Sequence, residues 1–271
     1  MHFALQTAYQ CDRIMLMKKS ICLLSSIALL AAAVPFASCS KTAEVNYTLS
    51  EDGTHYIVSG VSGNLDSLAE YDIPASYCEE GKTPLPVTEI GDEAFKGCAN
   101  LHSVTMPDSI EKIGALAFMM SALIDVEIPD SVTHIGVGAF SMCHSLTQVV
   151  IPQSVTTIQT RAFAYCSNLE EVKIYGSITV LEERVFYNSY KVQGGNIYTS
   201  TSLKKIYLPA TLEKIATSAL DGNLIEHIYF AGSKEQWKEV IFFETDSETG
   251  EEVVIEKDKV LPGSVEVHFA E

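Results

Sequence analysis

Through much of the chain, apolar residues recur at every third position. One stretch reads Phe140, Cys143, Leu146, Val149, Pro152, Val155, Ile158; the next reads Phe163, Cys166, Leu169, Val172, Tyr175, Ile178, Leu181. A surface helix alternates steps of three and four to keep one face apolar. A run of strict threes interrupted by Pro does not sustain a helix. Within these stretches, Val126-Glu127-Ile128 and Val172-Lys173-Ile174 alternate in and out, as short strands do.

The stretches themselves repeat. Ala94-Phe95, Ala117-Phe118, Ala139-Phe140 and Ala162-Phe163 are continued by Val185-Phe186 and Ala219-Leu220. The Phe spacings are 23, 22, 23 and 23, then 34 from Phe186 to Leu220. Pro107, Pro129, Pro152 and Pro209 form a second marker, with Tyr175 in the missing slot. A unit of this size, with one short strand and a turn or short helix, is a leucine-rich solenoid unit. No unit buries its apolar edge alone, so neighbours stack on one continuous core.

The predicted fold is therefore a β-rich leucine-rich repeat solenoid of about six stacked units of about 23 residues, with short strands and short helical turns. Phe95, Phe118, Phe140, Phe163 and Phe186 should form a ladder inside the coil. Cys98, Cys143 and Cys166 each follow the repeat Phe by three residues and should pack as small hydrophobes. Ser121, Ser189 and Asn223 fill that slot elsewhere, so no thiol is required; a Cys143–Cys166 disulfide is the alternative for an exported chain. Pro should end each strand. Ser109, Ser131, Ser154 and Ser177 should close the following turns locally through their hydroxyls. Asp52-Gly53 between two strand-like runs predicts a hairpin cap at the N-terminal end. Phe242-Phe243 and Val253–Ile255 flank the acidic stretch Glu244–Glu252 and predict a second hairpin, closing the other end with Val265–Phe269.

The pattern Ala-Phe-x-x-Cys-x-x-Leu-x-x-Val-x-Ile-Pro-x-Ser-Val-x-x-Ile-Gly resembles the BspA-type leucine-rich repeat family. Residues 139–159 fit it almost throughout, with Gln159 in place of Gly. Tyr47–Thr54 and Tyr56–Gly60 are similar to the family's N-terminal segment, and Leu85–Gly91 to its first repeat. Ile228–Ser233 with Glu235-Gln236-Trp237 is similar to its C-terminal element. The resemblance implies a non-catalytic binding module. Its implied roles are adhesion to a host extracellular matrix protein or to another cell-surface protein, in a Gram-negative bacterium of oral or gut type.

Ahead of the repeats, Lys18 and Lys19 precede an uncharged run from Ile21 to Val34, then Pro35-Phe36-Ala37-Ser38-Cys39. A basic start, a short apolar run and small residues before a cut describe a signal peptide. The run is shorter than the roughly 20 residues a spanning helix needs. Ala37-Ser38-Cys39 resembles a bacterial lipobox, which implies cleavage before Cys39 and a lipid on its thiol. An ordinary secretory signal is the alternative. Residues 1–16 read as an over-called start with Met17 the true one, and residues 17–38 as the signal. Residues 39–60 read as anchor linker and N-terminal cap, 61–230 as the solenoid and 231–271 as the C-terminal cap. The expected location is the outer membrane or cell surface of a Gram-negative cell.

Charge narrows the partners. The chain carries 18 basic and 35 acidic residues, a net charge of −17. Residues 1–38 hold three basic and one acidic residue, so the remainder carries 15 and 34, a net −19. Nucleic acid needs a basic face and is excluded as a partner. No Cys-x-x-Cys pair, no His-Glu-x-x-His motif, no nucleophile elbow and no phosphate-cradling loop is present, so no catalytic set, cofactor or metal is expected. Cys78 lies outside the repeat register, and the seven histidines read as solvated. Asp246, Glu248, Glu251 and Glu252 lack the order of a calcium loop.

The outward positions of each strand define two columns. The first runs Ser103, Asp125, Gln148, Glu171, Lys205, His227; the second runs Thr105, Glu127, Val150, Lys173, Tyr207, Tyr229. The second turns aromatic along its length. Tyr175 stands nearby, and an insertion between Ser189 and Leu203 brings Tyr190, Gly194, Gly195 and Tyr198. Insertions in solenoids project as loops, often on the binding face, and Tyr gives large contact at low entropy cost. Lys173, Tyr175, Tyr190, Tyr198, Lys205, Tyr207, His227 and Tyr229 are the candidate ligand face. A periplasmic or surface glycan-capture accessory lipoprotein is the alternative to protein recognition.

Overall fold

The computed structural model describes residues 42–191, 197–199, 203–261 and 263–270. Cys39, the signal segment, Gly194 and Gly195 lie outside the described residues. The fold is a leucine-rich repeat coil, rich in parallel strands and poor in helix.

One wall is the strand face. Strands Gln148–Ile151, Glu171–Ile174, Lys205–Leu208, His227–Phe230 and Glu266–Phe269 pair in parallel, in register. Toward the N-terminal end, Glu70–Asp72 pairs in parallel with Ser103–Thr105. The segment between corrects one expectation. Val126–Ile128 keeps the in-out alternation but forms no strand; only Glu127 bridges to Val150. The sequence supplies a reason. Phe118 to Val126 is eight steps, whereas Phe95 to Val104, Phe140 to Val149 and Phe163 to Val172 are each nine. The shorter connection holds this segment back from Ser103–Thr105 and breaks the ladder there.

A second wall starts with the antiparallel pair Glu44–Leu49 and Tyr56–Ser62, joined through the Asp52-Gly53 turn. Ser50, Thr54 and the Thr54 backbone N–H donate to the Asp52 carboxylate and hold it down at a pKa of about 2. Leu85–Ile90, Lys112–Ile113, His134–Ile135 and Thr157–Ile158 follow in parallel. Further along, Val180–Leu181, Lys214–Ala216 and Ile241–Thr245 pair in parallel, and Glu252–Ile255 returns antiparallel on the last of them.

The third wall holds the Ala-Phe segments. Among the described residues these are successive turns, and only Thr217–Leu220 winds into a 3-10 helix. The expected short helical turns fail because one or two residues per unit sit in the left-handed region. Glu93, Leu116, Gly138, Arg161 and Arg184, each two before the Phe, have φ of 56–61°. Gly97, Met120, Met142 and Tyr165, each two after it, have φ of 61–74°. This geometry turns alternate N–H groups toward the next unit. Leu116, Phe118 and Met120 thus donate to the carbonyls of Val137, Ala139 and Ser141 at 2.7–3.0 Å, and the pattern recurs along the stack. Left-handed non-glycine residues are strained by about 1–2 kcal/mol each. The inter-unit bonds satisfy backbone groups that burial would otherwise leave unpaired.

Between the walls lies one continuous core. Phe95, Phe118, Phe140, Phe163 and Phe186 stack with ring centroids 5.1–5.6 Å apart and planes within 17°. Cys98, Cys143 and Cys166 are buried free thiols, and the last two donate to the carbonyls of Phe118 and Phe140 at 3.2 Å. Burial pushes the Cys98 and Cys143 thiols up to about 11. Cys78 is disulfide-bonded. Trp237, on the helix Lys234–Glu239 behind a Ser233–Gln236 capping box, packs against Phe230 and Phe242.

The serines differ from expectation. The turns after Pro107, Pro129 and Pro152 are closed by backbone bonds from Ile110, Val132 and Val155. The hydroxyls are thereby free to tie unit to unit. Ser109 donates to Val87 O at 2.7 Å and Ser131 to Ile110 O at 2.6 Å, each in the preceding unit. Thr211 donates likewise to Ile178 O, whereas the Ser154 hydroxyl is buried with no hydrogen-bond partner.

Candidate functional site

The parallel register fixes the two outward columns as lines of neighbouring side chains. Gln148, Glu171, Lys205 and His227 lie in one line, and Val150, Lys173, Tyr207 and Tyr229 in the other. The strand Glu266–Phe269 extends both, placing Glu266 beside His227 and His268 beside Tyr229. Sequence reasoning missed these two residues. They lie beyond the repeat pattern, 39 and 41 residues past His227 and without the Pro or Phe marker, so only the alternation in Glu266-Val267-His268-Phe269 signals them.

The second column forms a stacked surface. The Tyr207 and Tyr229 rings lie 4.3 Å apart and 9° from parallel; Tyr229 and His268 lie 4.5 Å apart and 14° from parallel. Lys173 caps the other end, its Nζ 5.5 Å from the Tyr207 centroid. The hydrogen-bonded Glu171 carboxylate, 2.6 Å from that ammonium, raises the Lys173 pKa, and partial desolvation raises that of Tyr207. Around neutrality the surface therefore presents a charged Lys173 ammonium and a neutral Tyr207 phenol. Cation–π contact and offset stacking each hold these groups in place by about 0.5–1.5 kcal/mol. Lys205 is exposed alongside.

Tyr175 is near enough to the stack to interact electrostatically with Lys173 and Tyr207. Tyr175 is 57% exposed and lines a groove further toward the N-terminus. Tyr190 and Tyr198 face each other in backbone register within the antiparallel pair Ser189–Lys191 and Ile197–Thr199.

The groove at Tyr175 has a volume of about 820 Å³ and opens where the strand ladder is interrupted. Asp108, Asp125, Glu127 and Asp130 line it, and exposed Glu70 and Asp72 continue the same columns beyond Ser103 and Thr105. The strand face thus runs from carboxylates at its N-terminal end to stacked aromatics and cations at the other. Among the histidines, His55 departs from a solvated reading: its Nε2 is buried and lies 3.6 Å from Glu89.

Comparison with known proteins places this architecture. The profile of the BspA type leucine rich repeat region matches residues 75–193 and 189–249, with six copies. Several crystal structures are similar, two of them as follows. A leucine-rich repeat protein from Bacteroides ovatus ATCC 8483 shares 27% identity at a TM-score of 0.50, over 70% of this chain and 54% of that one. The leucine rich repeat protein of T. pallidum shares 26% identity at a TM-score of 0.52, over 69% of this chain and 82% of that one. The chain spans about half the length of the Bacteroides ovatus protein. No curated protein matches it.

Proposed function

The chain belongs to the BspA-type leucine-rich repeat family, and from that premise we propose a surface-displayed adhesin that holds a protein ligand on the aromatic half of its strand face. Proteins of this family are bacterial surface proteins that mediate protein–protein interaction, and the repeat is a binding scaffold rather than an enzyme. The observation that carries the reading is the ladder Lys173, Tyr207, Tyr229, half-exposed and prestacked on a rigid sheet. Such a surface binds with little ordering cost, because its side chains are already fixed. Lys205 and His227 flank it, and Tyr190 and Tyr198 of the inserted strand pair complete the proposed contact set. In this reading Cys39 carries the lipid that tethers the chain to the outer membrane, and the terminal hairpins shield the core edges. A host matrix protein is the ligand class proposed.

The test is binding of the purified chain to immobilised matrix proteins and polysaccharides at low and high salt, with the Tyr207→Ala/Tyr229→Ala variant in parallel. Saturable, salt-tolerant binding to a protein, reduced more than tenfold in the variant, supports the proposal. Binding to a polysaccharide instead identifies a glycan-capture lipoprotein. Protein binding unchanged in the variant removes the aromatic ladder from the contact surface.

A further inference from the structure

We infer that His227, Glu266 and His268 form a binding site for a divalent transition metal ion, with zinc the best chemical match, at the C-terminal end of the strand face. The three side chains come from adjacent parallel strands whose register places His227 opposite Glu266 and Tyr229 opposite His268. Their donor atoms converge: His227 Nδ1 lies 3.1 Å from His268 Nε2 and 3.3 Å from Glu266 Oε2. The third edge, His268 Nε2 to Glu266 Oε2, is 3.7 Å.

Two arrangements fit these separations. The two ring nitrogens can share a hydrogen only if one ring donates and the other accepts. Both lone pairs, together with a carboxylate oxygen, can instead converge on a cation. Zinc bonds imidazole nitrogen and carboxylate oxygen at about 2.0–2.2 Å, so tetrahedral donors stand about 3.3–3.6 Å apart. The observed triangle needs adjustments of only tenths of an ångström at its vertices. The donor set also selects the metal class. Calcium and magnesium require six or more oxygens, whereas two imidazoles and one carboxylate suit zinc and its first-row neighbours.

The surroundings hold the geometry. The His268 ring stacks on Tyr229, and Tyr229 on Tyr207, so its orientation is set before an ion arrives. The His227 side chain is about 29% exposed and Glu266 about 68% exposed, so an ion reaches the site from solvent without any opening of the fold. Three protein donors leave a coordination position for water or for a donor atom of a bound molecule. No such cluster is visible by local spacing, because the histidines are separated by 41 residues and meet only through the parallel strand pair.

The experiment is calorimetric titration of the tag-free full chain with zinc, repeated with cobalt(II) to read the visible absorption of a low-coordinate ion. Magnesium and calcium serve as controls. One equivalent of zinc should bind, with no response to magnesium or calcium. His227→Ala/His268→Ala should weaken binding at least about 100-fold, more than loss of an outer-shell contact costs. Glu266→Gln, which keeps the shape of the side chain, should weaken it and alter the cobalt spectrum. His102→Ala/His144→Ala, outside the cluster, should change neither. Absence of stoichiometric zinc binding overturns the inference, and so does binding that survives loss of both histidines. Because the readout is the metal alone, failure to find an adhesion ligand leaves the result intact, and the reverse holds as well.

Discussion

Phe140 and Val150 stand ten residues apart in one unit and follow different rules. Phe140 repeats as Phe in every unit from Phe95 to Phe186, stacked and fully buried. The column of Val150 changes from Glu127 to Val150, Lys173, Tyr207, Tyr229 and His268. The interior position must fill the same volume in each layer, so packing fixes it. The outward position meets solvent and answers only to what the surface touches. The interior therefore records the fold and the strand face records what differs about this molecule. The face also divides in two, with carboxylates around the Asp125–Asp130 groove and stacked rings at Tyr207 and Tyr229.

The strongest way to break this comparison is to cut the interior ladder. Phe140→Ala should lower stability by about 3–5 kcal/mol, as large-to-small changes in packed cores do. Because neighbouring units share one core, urea unfolding should remain a single transition. A biphasic curve would show that the two halves of the face rest on separate cores. Alkaline pH should act on the interior in the same direction. The buried Cys98 and Cys143 thiols are raised to about 11 from 9.0. The unfolded chain loses these protons first, so their contribution is present below pH 9 and is lost as pH rises through about 11. Unfolding midpoints measured between pH 8 and 11 should fall, and should fall less in Cys98→Ser/Cys143→Ser. A wild-type decline matched by that variant would assign the loss to other groups.

The interior was legible in the sequence because its signal is periodic: each buried Phe and Cys recurs at a fixed offset and needs no partner to be named. The two face columns were legible as far as Tyr229 for the same reason, since each flanks the central apolar residue of its strand at a constant offset. Legibility ended where tertiary pairing replaces local spacing. Glu266 and His268 join the columns through a strand that carries no repeat marker. Ser109 and Ser131 reach back to the preceding unit because backbone bonds already close their own turns. The Ala-Phe segments read as short helical turns because left-handed residues such as Met120 and Arg161 leave no compositional trace. The broken ladder at Val126–Ile128 was written in the sequence as a single missing residue between Phe118 and Val126, a difference visible only when the units are compared.

The smallest effect expected is at the acidic half of the face, and it sharpens the comparison most. Asp125 and Glu127 are exposed, two residues apart, and share their groove with Asp108 and Asp130. Asp125→Asn/Glu127→Gln removes two like charges without touching the core. Its effect on stability should stay within about 0.5 kcal/mol, as for surface changes away from special features. The sign is set by repulsion: the variant should be slightly more stable at 0.01 M salt, where charges act over about 30 Å, and equal to the parent at 1 M, where they act over about 3 Å. Urea midpoints at the two salt concentrations measure both values. A loss of stability that persists at high salt would mean that these carboxylates hold the segment in place where the strand ladder is missing. That half of the face would then belong to the structural economy of the interior, and only the stacked half would be free to vary with a ligand.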